Sequence, residues 1–140
     1  MAEVAVAITG ASGAPYGKRL VDALCEAGHT VHLVLSKGGA RVLKHEMDLS
    51  PKELVRDNVV LHAEANYGAS IASGSYPLQG MAICPCSMGT LGRVAAGTGE
   101  NLVTRAADVM LKEGRRLVLV PRETPFSLIH LENMARLVRA

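Results

Sequence analysis

The sequence contains no tryptophan, one phenylalanine and three tyrosines, so aromatics make up only 3% of its 140 residues. Recognition of single-stranded nucleic acid by base stacking needs aromatic platforms, and their scarcity argues against that class of function. An excess of one charge is missing too: 15 Lys and Arg stand against 13 Asp and Glu, for a net charge of +2. The basic residues are scattered, which leaves neither a DNA-binding footprint nor a membrane-binding stripe. No apolar run approaches the roughly 20 residues of a membrane helix. No basic region precedes the first apolar stretch, so a signal peptide is not expected. Cysteine is limited to Cys25, Cys84 and Cys86. An odd count without framework spacing fits a reducing compartment, and the expected location is the cytoplasm.

What is present is ordinary for one globular unit. The chain is 49% hydrophobic and 20% charged, and its length suffices for a single core built on Val, Leu, Ile, Ala and Met. A single domain over residues 1–140 is the expectation. Val4 to Thr9 reads as a short strand apolar on both faces, followed by a Gly10–Pro15 break and a helix from Tyr16 to Ala27, closed by Gly28. Thr30 to Leu35 is a second strand, with a short helix expected around Ala40 to Glu46. Ser50-Pro51 is a helix start for Lys52 to Arg56, and Tyr67 to Pro77 reads as a long loop. Gly80 to Cys84 is a third strand, followed by helices Met88–Ala96 and Leu102–Glu113, the latter capped by Asn101. Leu117 to Val120 is a fourth strand. Ser127 caps a last helix with Leu128, Leu131, Met134, Ala135 and Val138 on its inner face. Strand and helix alternate, which predicts a doubly wound α/β fold: a mostly parallel sheet, helices on both faces and ligands outside the strands' carboxyl ends.

Each of the four strands is followed at once by Gly, Ser, Thr or Pro, and these turns carry the chemistry. Gly10-Ala11-Ser12-Gly13 lets the backbone turn tightly and aims N–H groups at an anion, with the Ser12 hydroxyl as a further partner for phosphate or a flavin ring atom. It lacks the G-x-G-x-x-G spacing, and no acidic residue ends the second strand to grip a ribose, which counts against NAD. Ser36 can reach phosphate or cap the following helix. Ser87 and Thr90 flank Met88-Gly89 at a helix mouth, a phosphate cradle. Two cysteines one residue apart do not match zinc spacing, so Cys84 and Cys86 read as structural thiols. Arg105 and Lys112 lie seven apart on one helical face, where Asp108 could pair with Lys112. In Pro121-Arg122-Glu123-Thr124-Pro125, Arg122 can hold a phosphate or a flavin carbonyl and Glu123 can handle protons. The five histidines show no metal-ligand spacing.

Together these segments resemble the UbiX-type flavin prenyltransferases. The resemblance rests on Thr9-Gly10-Ala11-Ser12-Gly13-Ala14, Leu35-Ser36-Lys37, Ser73-Gly74-Ser75 and Ile83 to Leu91. Further blocks are Arg105 to Val109, Leu111-Lys112-Glu113, Leu119 to Phe126 and Ile129 to Met134. It implies a Rossmann-like flavoprotein that attaches a dimethylallyl group from dimethylallyl phosphate to reduced FMN, without a metal. The prenylated FMN would serve a UbiD-type decarboxylase. FMN would be held by Gly10, Ala11, Ser12, Ser36, the run Ser87, Met88, Gly89 and Thr90, and Arg122. Arg105 and Lys112 would hold the substrate phosphate, with Tyr67 as an aromatic wall. Ser12, Glu123 and Lys112 would be the catalytic set. An allylic phosphate ionises more readily with positive charge on its leaving oxygens and an aromatic surface nearby, which suits these side chains.

Family members are expected to form trimer-based dodecamers. They also continue into another strand, a Tyr-His-x-Pro loop and a C-terminal helix, whereas this sequence stops at Arg139-Ala140. The expectation is a form lacking that segment, with a sheet edge open unless another chain covers it. Two alternatives stand beside the prenyltransferase: a non-catalytic FMN-binding subunit and a flavin-dependent cysteine decarboxylase.

Overall fold

Near-continuous apolar strands form where helices cover both faces of a parallel sheet. In the computed structural model, which describes residues 1–140, β1 (Glu3–Ile8), β2 (Thr30–Leu35), β3 (Val59–His62), β4 (Gly80–Cys86) and β5 (Arg116–Pro121) form one sheet. Its order is β3-β2-β1-β4-β5, and every pairing is parallel. The order therefore reverses between β1 and β4, the switch point beside which such sheets hold ligands.

Five helices follow the strands: α1 (Ala14–Glu26), α2 (Lys37–Met47), α3 (Met88–Ala96), α4 (Leu102–Lys112) and α5 (Leu128–Arg139). Successive strand residues point to opposite faces, so Val6, Ile8, Val31 and Leu33 pack on α1 and α2. Ala5, Ala7, Met81 and Ile83 pack on the other side against α3 and α4. Helices cover both faces, as the alternating pattern predicts. No helix is long and apolar enough to cross a membrane.

Two glycines bring α1 and α2 close to the strand ends. A Cβ on Gly39 would stand 2.0 Å from the Ile8 carbonyl oxygen, and one on Gly17 would stand 2.5 Å from that of Cys84. That is why α2 begins at Lys37 and includes Gly38 and Gly39, earlier than the expected start at Ala40. Helix propensity there yields to close packing.

Four other expectations are corrected. β3 was not anticipated, because Val-Val-Leu-His is a four-residue edge strand with only Val59 fully buried. Lys52 to Arg56 is not a helix: Pro51–Leu54 makes one 3-10 turn, and Val55 is already extended. The Tyr67–Pro77 loop contains a 3-10 turn, Ser70–Ala72, pinned by buried Ile71. In α5 the inward face is Met134 and Leu137, while Leu128 and Val138 are 70% and 88% exposed and Leu131 and Ala135 are exposed as well. The stripe is rotated because α5 meets the rest of the chain chiefly through α3, not by lying across the sheet.

Candidate active site

The turns after β1, β2, β4 and β5 meet at one rim, at the carboxyl ends of the strands. Buried Thr9 joins two of them: its hydroxyl donates to the Pro85 carbonyl at 2.8 Å and accepts the Ser87 N–H at 2.8 Å. The Ser36 N–H donates to the Ile8 carbonyl at 3.1 Å, and the Arg122 N–H donates to that of Cys86 at 3.2 Å. Gly10 and Gly38 are packed backbone to backbone. Gly10, Ala11, Ser12, Ser36, Ser87 to Thr90, Arg122 and Glu123 are thereby gathered.

α2 runs across this rim and brings Glu46 to the start of α1. Glu46 Oε2 accepts the Ser12 hydroxyl at 2.6 Å, and Oε1 accepts the N–H groups of Gly13 at 3.0 Å and Ala14 at 2.8 Å. The Ser12 bond first, then the two backbone bonds, hold this carboxyl below its ordinary value, so it is ionised near neutrality. The anion at this helix start is therefore the chain's own carboxylate. Ser12 donates its proton toward Glu46 and keeps its oxygen lone pairs for a ligand.

Sequence reasoning missed Glu46, which is 34 residues from Ser12. One local signal existed. A carboxylate in the last turn of a helix opposes the helix dipole unless something else holds it.

The other helix starts differ. At α2, Ser36 Oγ accepts the Gly39 N–H at 3.0 Å, and the Lys37 N–H donates to Glu64 Oε2 at 2.7 Å. Ser36 is thus a helix cap, and its own O–H stays available. At α3, Ser87 Oγ donates to Thr90 Oγ1 at 2.9 Å and accepts the Thr90 N–H at 3.2 Å. The N–H groups of Met88 and Gly89 donate to nothing within the chain. Of these three starts, α3 alone has no carboxylate on it, and the exposed Arg122 guanidinium, without an ion pair, belongs to the neighbouring turn. Glu123 is exposed, and its carboxylate accepts the Thr124 N–H at 3.1 Å.

Burial, reinforced by Cys84, pushes the Cys86 thiol up to about 12, and burial raises Cys84 as well. Both remain protonated thiols near neutrality, as expected of structural cysteines.

Tyr67 stays near the rim, its hydroxyl donating to the Glu100 carbonyl. Arg105 and Lys112 do not join it. α4 starts near the rim, where the Leu102 N–H donates to the Glu64 carbonyl, and ends where β5 begins. Lys112 is the last residue of α4, so it stands at the opposite edge of the sheet. The two cations share one face, as their spacing predicts, and both reach the Ala72–Gly74 segment. Arg105 Nε donates to the Ala72 carbonyl at 3.1 Å, and Lys112 Nζ packs against Gly74. The Asp108–Lys112 pair that a plain solvated face would carry does not form. Asp108 faces Arg105 at 3.7 Å and Lys112 takes Glu113 at 3.0 Å, because each cation reaches a nearer carboxylate.

The chain matches the Flavoprotein family over residues 1–140. A flavin prenyltransferase UbiX from Halalkalibacterium halodurans is 51% identical over 142 aligned positions, covering 94% of this chain and 69% of that protein. The chain belongs to the UbiX flavin prenyltransferase family. Among solved UbiX structures, AnUbiX in complex with FMN and dimethylallyl pyrophosphate superposes with a TM-score of 0.94 at 44% identity, covering 99% of this chain and 73% of that one. A dodecameric FMN-dependent UbiX-like decarboxylase from Escherichia coli O157:H7 superposes with a TM-score of 0.93 at 47% identity, covering 98% of this chain and 75% of that one. The peptidyl-cysteine decarboxylase EpiD shares the fold, with a TM-score of 0.70, but only 15% identity. That likeness concerns architecture alone.

Proposed function

We propose that this chain, acting as one FMN-binding unit over residues 1–140, transfers a dimethylallyl group from dimethylallyl phosphate to reduced FMN. The product, prenylated FMN, would go to a UbiD-type decarboxylase. The observation that carries the reading is the rim itself. Four turns converge there, and the starts of α1 and α2 hold carboxylates while the start of α3 is open. The N–H groups of Met88 and Gly89, the hydroxyls of Ser87 and Thr90, and Arg122 make a cradle suited to the flavin phosphate.

Reduced FMN would supply the ring that accepts the prenyl group. The protein's part is to orient that ring and manage the proton. Gly10, Ala11 and Ser12 line the approach, and the Ser12 hydroxyl, oriented by its bond to the Glu46 carboxylate 2.6 Å away, presents its oxygen lone pairs to an N–H of the ring. Glu123, on the turn after β5, is the proton-handling group. Tyr67 offers the aromatic wall.

Arg105 and Lys112 act on the dimethylallyl phosphate of a neighbouring copy's rim, since within one chain α4 packs on the other face of the sheet from α1, which Ser12 precedes. This reading requires a homo-oligomer, of the trimer-based dodecameric kind. It also gives the cations a task that water would do poorly, neutralising the leaving oxygens in a closed site.

The test is direct. The protein is incubated with reduced FMN and either dimethylallyl monophosphate or diphosphate, and the flavin is examined by mass spectrometry for an added prenyl group. FMN bound without an adduct from either donor would defeat the prenyltransferase reading and leave an FMN-binding subunit. Lys112→Ala is expected to retain FMN and lose prenylation, and Ser12→Ala to lose about a hundredfold in rate. Dissociated and reassembled together, the two variants regain activity if the cations act between copies. Failure to regain it after proven reassembly would refute shared sites.

A further inference from the structure

Glu64, which follows β3, holds donors from two other segments at once. Its Oε2 accepts the Lys37 N–H at 2.7 Å, its Oε1 accepts from Asn101 Nδ2 at 3.3 Å, and its carbonyl accepts the Leu102 N–H at 2.8 Å. Lys37 is the first residue of α2 and Leu102 the first of α4. Asn101 is itself committed, since its Oδ1 caps the Thr104 N–H at 2.9 Å. One side chain thus ties the turn that presents Ser36 to the corner that launches α4. Ser36, Lys37, His62 and Glu64 also line a shared cavity of about 410 Å3.

The consequences fall on Ser36. Its Oγ accepts the Gly39 N–H, so the O–H and one lone pair are left for a ligand, and their direction depends on how the turn is held. The turn is held from below by the bond to Ile8, packs at Gly38 against Gly10, and has its Lys37 N–H held by Glu64. Without the carboxylate, the Lys37 N–H would lose its only partner.

We infer that Glu64 is a positioning residue for flavin binding, acting through the Lys37 N–H to hold Ser36 toward the rim; this rests on the FMN reading above. Glu64→Ala removes the acceptor, and Glu64→Gln keeps one for the Lys37 N–H. Flavin fluorescence quenching gives the FMN dissociation constant of each, in the full chain. Glu64→Ala is expected to weaken FMN about tenfold, the usual weight of one charge-assisted hydrogen bond. Glu64→Gln is expected to stay within about threefold of the wild type.

Glu64→Ala added to Ser36→Ala is expected to bind no more weakly than Ser36→Ala alone, because the effect passes through that hydroxyl. A merely structural role would make the two losses additive. If Glu64→Ala does not fold, Glu64→Asp takes its place, since the shorter chain withdraws the carboxylate from Lys37 and carries the same expectation. Unchanged affinity in Glu64→Ala, no rescue by Glu64→Gln, or additive losses would each overturn the assignment of Glu64. Failure of the wild type itself to bind FMN would instead remove the flavin reading.

Discussion

The rim and the β5–α5 edge are built from different residues and are held in opposite ways. At the rim, buried Thr9 and the carboxylates of Glu46 and Glu64 bind backbone groups of other segments at 2.7–3.0 Å, while Ser36 and Ser87 cap their own helices, so the turns are fixed by one another. At the edge, β5 alternates half-buried and exposed residues, Val118 and Val120 are 47% and 42% exposed, and no residue of α5 is buried. An apolar groove of about 400 Å3 remains between β5 and α5, lined by Leu117, Leu119, Met134 and Leu137. Polar cross-links over-determine the turns that meet a ligand. The edge relies on apolar packing that is only half complete, and such packing tolerates change more readily.

The largest expected break in this contrast is Gly39→Ala, which drives a methyl into the Ile8 carbonyl. It should cost about 3 kcal/mol or more in denaturant unfolding. A cost under about 1 kcal/mol would mean that the rim is not over-determined. Met134→Ala, at the half-covered edge, should cost only about 1–2 kcal/mol by the same measurement, because part of that side chain is already in water.

Acid should act through Glu113, held down by Lys112, and through three further groups. Glu46 is held down by Ser12 and the start of α1. Glu3 is held down by the Tyr76 hydroxyl and then by His32. His62 is lowered by burial and then by the neighbouring His32. Every one of these groups binds fewer protons folded than unfolded, so stability is complete above the unfolded values and falls with falling pH. The His62 part is lost below its ordinary 6.5 and the carboxylate part below 4.5. Unfolding midpoints against pH should show both steps. His62→Gln should flatten the upper one and Glu46→Gln the lower.

The smallest effect is expected from Val118→Thr, within about 0.5 kcal/mol of the wild type in stability. Weaker self-association of this variant by sedimentation would identify the β5 face as a contact between copies.

Much of this was legible locally. The caps Ser36, Ser87, Asn101 and Ser127 each accept a backbone N–H within three residues; pattern alone located the starts of α3, α4 and α5, while that of α2 lies three residues before the expected one. Apolar runs located β1, β2, β4 and β5, while β3 was too short and too exposed to register. The histidines illustrate the limit. Buried His32 links Glu3, at 2.8 Å, to His62, at 2.9 Å, and Tyr76 also donates to Glu3. Nothing near any of these residues in the chain announces the others.

The sequence by itself determined the alternation of strands and helices apart from the β3 region, the polar turns at the strand ends and the family, because each depends on residues close together in the chain. Tertiary structure alone decided that Glu46 occupies the start of α1, that Glu64 occupies the start of α2, and that the helix carrying Arg105 and Lys112 packs on the other face of the sheet from α1. Those outcomes rest on contacts between residues 27–37 positions apart and on the direction in which α4 runs. Such contacts form only when the sheet brings distant turns to one edge, and no local spacing encodes them.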